Sequence, residues 1–216
     1  MTRRTSLIVA FFAFLGGCKN SATKTIDSAV NSPARVAAAP VLVRYDDVPM
    51  IEAGITVDQA YAAIPHRRTV WIESDSAVPS EDKPYLKAIF QVLDQAVAVR
   101  VASLQNYSSQ RFDASDTDGE LKKLIDFVNA MPVPKTLTTY HAEILAGLTG
   151  ERQFFQDWRR ERDQFEYAQQ IANHPGVRSS SAALRAAYSE LMAKYPTENS
   201  RNKDAFFDYH CALDFL

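Results

Sequence analysis

The apolar residues of this chain are spaced for helices. Leu86, Ile89, Phe90, Leu93, Val97, Val101 and Leu104 recur every three or four positions, the interval that lines one face of an α-helix. A strand needs strict alternation, and this run has none. The acidic stretch Ser80-Glu81-Asp82 stands where an N-cap belongs, and Pro84 is tolerated in a first turn. The spacing predicts a helix of about 30 residues, which would be roughly 45 Å long and could run as far as Phe112.

The same periodicity returns further along the chain. Leu121, Leu124, Ile125 and Val128 mark a shorter helix between the break at 116–119 and Pro132/Pro134. Leu137, Tyr140, Ile144, Leu148, Phe155, Trp158 and Phe165 predict a second long one running toward Ile171, with His174-Pro175-Gly176 as its stop. Gly147 and Gly150 weaken that helix locally and point to a bend or a close contact. Residues 181–195 carry a further amphipathic pattern, and a last helix starts near Asn202. Upstream, Thr56-Val57-Asp58-Gln59 matches a capping box, opening a short helix that Pro65 stops. Residues 41–43 and 69–72 are short β-branched or aromatic runs that could be extended. The expected fold class is therefore all-α: an antiparallel helix bundle with two long helices and an irregular N-terminal segment, formed by residues 41–216 as one domain.

Residues 1–17 stand outside this pattern. Arg3 and Arg4 precede the apolar stretch 7–15, and Gly16-Gly17 come directly before Cys18, which reads as an export signal with a small-residue cleavage site. The ending Leu15-Gly16-Gly17-Cys18 resembles the lipobox of bacterial lipoproteins. That resemblance implies removal of residues 1–17, lipidation of Cys18 with diacylglycerol and a further acyl chain such as palmitate, and attachment to a membrane. Lys19 in place of an aspartate implies the outer membrane, with the domain facing the periplasm. Several acyl chains on one residue give stable anchoring where one would be marginal. Residues 18–40, rich in Ser, Ala, Asn, Thr and Pro, read as a flexible tether reaching on the order of 25–30 Å.

Charge narrows the partners. Loss of Arg3 and Arg4 takes the 24 basic residues to 22 against 26 acidic ones, so the remaining chain carries −4. Such a chain has no field to collect nucleic acid. The expected partners are the membrane through Cys18, and another envelope protein or peptidoglycan.

Catalytic signatures are missing: there is no H-E-x-x-H, C-x-x-C, Walker A or G-x-S-x-G pattern, and no E-x-x-H for a dimetal bundle. Neither catalytic residues, a metal nor a cofactor is expected. The most distinctive stretch is Ile64-Pro65-His66-Arg67-Arg68, which is similar to a segment of uncharacterised bacterial envelope proteins and brings no known activity. Arginine forks suit carboxylate or phosphate, and His66 could add a pH-dependent contact. His66, Arg67 and Arg68 are thus the candidate ligand-binding residues for a small anion. The competing reading has them pair with carboxylates of the bundle and pin the N-terminal segment to it.

Three other places have an ordinary explanation beside a chemical one. His210 and Cys211 are adjacent, but neighbours on a helix point about 100° apart and rarely serve one centre. A core-edge histidine and a buried thiol are expected there. His141 is expected at a core edge too. Residues 151–167 alternate charge around Phe154, Phe155, Trp158 and Phe165, with Arg159/Asp163 and Arg162/Glu166 at ion-pair spacing. This reads as a solvated face opposite a core stripe rather than a surface for peptidoglycan. The leading expectation is a non-catalytic interaction domain on a lipid anchor. The alternatives are an anion-binding bundle and an envelope hydrolase whose residues converge only in the fold.

Overall fold

The computed structural model describes residues 43–111, 116–161 and 168–214. Among them are seven α-helices and no strand: α1 (Val57–Ala63), α2 (Lys83–Ser108), α3 (Thr117–Ala130), α4 (Thr138–Arg160), α5 (Ala168–Asn173), α6 (Pro175–Lys194) and α7 (Ser200–Leu213). They form the expected antiparallel bundle, with α2 and α4 as its long helices. Helix neighbours α2–α3, α3–α4, α4–α6, α6–α7 and α7–α2 close a ring, and α1 lies against α2. Tyr85, Leu93, Tyr140, Phe154 and Phe206 fill the inside and are almost wholly withdrawn from solvent.

Caps decide where most helices begin. The Thr56 hydroxyl accepts from the Gln59 amide, and the Gln59 side chain accepts from the Thr56 amide, so the expected capping box is formed. Asp116 accepts from Gly119 N, and Asn199 from Asn202 N. Asp82 does otherwise. It is the residue before α2 but makes no cap bond; its buried carboxylate accepts instead from Thr136 Oγ1 at 3.0 Å and Tyr195 Oη at 2.8 Å. The predicted cap is a tertiary fastener, joining the start of α2 to two distant segments.

The helices also end where local chemistry dictates. After Ser108 the chain turns through Gln110, whose φ of 58° is the left-handed conformation usually given to glycine. Gln110 N donates to Tyr107 O, and Arg111 N donates to Asn106 O. The helix is thus shorter than the 30 residues expected, and Phe112 lies outside the described residues. The second long helix ends at Arg160, not near Ile171. Residues 168–173 form a separate short helix, and 162–167 lie outside the described residues.

His174-Pro175-Gly176 acts in both directions. It stops α5, as expected, and it also starts α6, several residues before the predicted start near 181. His174 Nδ1 accepts from Gly176 N at 3.1 Å, and Pro175 occupies the first helical position, where its missing N–H costs nothing.

The α4–α6 pair is the most extensive packing in the bundle, and small residues make it close. A Cβ at Gly150 would lie 2.6 Å from the Gly176 carbonyl oxygen, and one at Gly147 would lie 3.0 Å from Leu184 Cδ2. The glycines read as a bend or a close contact serve the close contact.

The run 69–72 does not pair into a sheet. Its backbone is satisfied by side chains of the C-terminal helix region, as described next. Residues 41–42 of the other extended run are outside the described residues.

Candidate functional site

The irregular segment after α1 lies on α7 and is held there through its main chain. Thr69 N donates to Asp208 Oδ2 at 2.7 Å. One turn and a half earlier on α7, Asn202 grips a single residue twice: Ile72 N donates to Oδ1 at 2.9 Å, and Nδ2 donates to Ile72 O at 3.1 Å. Ahead of the helix, Glu198 Oε2 accepts from Ala77 N at 3.1 Å and from the Ser76 hydroxyl. Each of these three polar residues is buried. Buried carboxylates and amides are tolerated where their lone pairs and N–H groups are met, and an extended backbone meets them here. Side chains of a helix thus do for residues 69–77 what a neighbouring strand does in a sheet.

His66 and Arg68 extend the junction. The Asp208 carbonyl can only accept, so His66 Nε2 carries the proton and donates to it at 3.0 Å, with Asp208 Oδ1 3.5 Å away. Burial pushes the His66 pKa down, with Asp208 pulling the other way. Arg68 bridges two carboxylates, Asp58 at 2.6 Å and Asp94 at 2.5 Å. It also lies over the Tyr61 ring, 5.2 Å from the centroid. Burial pushes the Asp94 carboxyl up despite the Arg68 bond and charge. Arg67 is exposed, and it makes no ion pair among the described residues. The three residues proposed from sequence are thus not gathered on one partner: His66 faces Asp208, Arg68 faces Asp58 and Asp94, and Arg67 is exposed. Cys18, the lipidation candidate, lies outside the described residues.

A second polar group is hidden inside the bundle. Glu151 on α4 is fully buried, and Ser180 Oγ donates to its Oε1 at 3.3 Å. Burial pushes its carboxyl up to about 8, against the pull of Arg100. Arg100 on α2 is itself buried and donates to the Ala212 carbonyl at 2.6 Å. Asp214 accepts from Arg185 Nε at 3.0 Å. This group joins α2, α4, α6 and the end of α7. A buried arginine and glutamate in mid-helix break no periodicity strongly enough to be seen in sequence, and reasoning from motifs did not single them out.

The remaining histidines are structural in geometry. His210 is fully buried rather than at the core edge. Its Nδ1–H donates to the Phe206 carbonyl at 2.6 Å, leaving Nε2 to accept from the Tyr140 hydroxyl at 3.1 Å, and burial takes its pKa down to about 4. Cys211 beside it is half-buried, not buried as expected. His141 sits at a core edge with Nδ1 3.1 Å from the Tyr85 hydroxyl. Phe154, Phe155 and Trp158 turn inward beside Tyr107, while Arg152 grips Asp118 at 2.7 and 3.1 Å. The pairs Arg159/Asp163 and Arg162/Glu166, and Phe165, involve residues outside the described ones. Among the described residues no three His, Cys, Asp or Glu side chains group as metal ligands, and no helix is long and apolar enough to cross a membrane. Compared with protein families, curated proteins and solved structures, the chain matches none.

Proposed function

We propose that the chain is a lipid-anchored protein of the bacterial cell envelope, held at the outer membrane through Cys18, whose helical domain works by binding another envelope component. The observation that carries this reading is the sequence Leu15-Gly16-Gly17-Cys18 behind a short apolar stretch with two arginines. The polar tether 18–40 supports it, since it gives a folded body room to move off a membrane surface. Lys19 supports the outer membrane.

The interaction reading draws on how the body uses its chemistry. His66 and Arg68 face Asp208, Asp58 and Asp94, so holding an anion with them would mean breaking contacts that fix the segment. The test is crosslinking of the intact chain in its cell. One specific envelope protein or peptidoglycan, captured by wild type and lost when Cys18→Ala releases the chain from the membrane, is the expected result. Repeated recovery of nothing above background would refute binding as the function.

A further inference from the structure

The junction on α7 has a feature that a finished intramolecular contact would not need. Thr69 and Trp71 are only 6% and 8% exposed, yet Thr69 Oγ1 and Trp71 Nε1 are buried without a hydrogen-bond partner. A buried donor or acceptor left unmet costs on the order of 1–3 kcal/mol. The main chain of the same segment is met at Thr69, Ile72 and Ala77. The α7 face therefore meets the extended backbone but leaves one polar atom of each of these two side chains without a partner. Trp71 is seated by shape, edge-on to Phe90 at 5.5 Å, and Phe90 stacks on Tyr209 at 4.5 Å.

We propose that the face formed by Glu198, Asn202 and Asp208 is a reader of extended peptide, covered in the resting chain by its own residues 69–77, and that a partner's extended segment with a phenylalanine in the Trp71 position displaces them. This deepens the interaction reading above and rests on it. Asn202 and the two carboxylates meet mostly N–H and C=O groups present in any extended peptide, with the Ser76 hydroxyl on Glu198 as a side-chain contact. Specificity then falls to the place of the Trp71 ring beside Phe90 and to the buried Thr69 position. Phenylalanine and valine fill those shapes with no polar atom to strand, so a peptide carrying them binds better than the chain's own segment. A second copy of this chain would bring the same two stranded atoms and gains nothing over the resident segment. That comparison favours a different chain as the occupant.

The resident segment competes at high effective concentration, so the test weakens it without touching the face. In the full chain, Ile72→Pro removes the N–H that Asn202 accepts. The probe is a labelled synthetic peptide of residues 64–79 carrying Thr69→Val and Trp71→Phe. It is expected to bind the Ile72→Pro chain at least tenfold more tightly than wild type, and more tightly than the unaltered 64–79 peptide does. Adding Asn202→Ala to the Ile72→Pro chain should weaken it at least tenfold again. No saturable binding to a folded Ile72→Pro chain, or equal binding of a scrambled peptide, overturns the proposal and leaves crosslinks made by any other surface untouched. Should Ile72→Pro fail to fold, hydrogen exchange in wild type decides. The proposal requires the Thr69, Ile72 and Ala77 amides to exchange through a local opening, well before the core of α2. Exchange only with global unfolding refutes it.

Discussion

Arg67 and Arg68 are consecutive and chemically identical, and the fold treats them oppositely. Arg68 offsets a largely buried Asp94, so Arg68→Ala leaves that carboxylate in poor surroundings and is expected to cost about 1–3 kcal/mol. Arg67→Ala at an exposed position is expected to stay within about 0.5 kcal/mol. Urea unfolding of both variants checks this, and Asp94→Asn should restore part of the Arg68→Ala loss. Equal losses from the two arginines would contradict the bridging role. Titration gives a second test. Glu151 holds its proton up to about 8 in the folded chain but releases it near its ordinary value of 4.5 when unfolded. The folded state then binds more protons in that window, and stability contributed by the neutral group is lost as pH rises through it. Glu151→Gln should remove this fall and be the more stable protein at pH 9, by unfolding midpoints measured from pH 5 to 9. His210 has the opposite sign. Its folded pKa is near 4 against an ordinary 6.5, so stability is lost as pH falls between them, by up to about 3 kcal/mol. Nitrogen NMR should find an Nδ1–H imidazole that does not titrate above pH 5.

At the scale of elements, periodicity carried most of the fold. The apolar stripes locate α2, α3 and α4 because each buries one face in a shared core, and the Thr56 capping box is read correctly because its two partners, Thr56 and Gln59, are three residues apart. What escaped is set by distant partners. Asp82 looks like a cap, yet Thr136 and Tyr195 claim its carboxylate from far along the chain. His174-Pro175-Gly176 looks like an ending, and it is a beginning as well because proline suits a first turn. The candidate site was legible only as a cluster of donors after α1. Its acceptors, Asp208, Asn202 and Glu198, lie over 120 residues away, and nothing local marks them as facing Thr69 or Ile72. The tightest element contact makes its own prediction. Gly150→Ala gains up to about 1 kcal/mol of helix propensity, but its methyl would overlap the Gly176 carbonyl. The overlap wins, and a net loss of about 1–3 kcal/mol is expected from thermal or urea unfolding. A gain in stability would mean that α4 and α6 do not approach so closely.

For the whole molecule, the bundle and its N-terminal region divide the work. The ring of helices is closed by α2 and α7, and the irregular segment 64–79 lies on that closure, leading back through α1 to Tyr45. There the Tyr45 hydroxyl donates to the Pro132 carbonyl at 2.9 Å and its ring meets Tyr85 edge-on at 6.1 Å. A tether ending at Cys18 would thus enter a body that grips its first described residues, and the anchor would set where that body stands. The most direct measurement is the mass of the N-terminal peptide of the chain isolated from its bacterial membrane fraction. A lipid anchor at Cys18 requires a peptide beginning at Cys18, heavier by a diacylglycerol and one further acyl chain, and absent from a Cys18→Ala strain. An unmodified Cys18, or a mature chain that still carries residues 1–17, would contradict it.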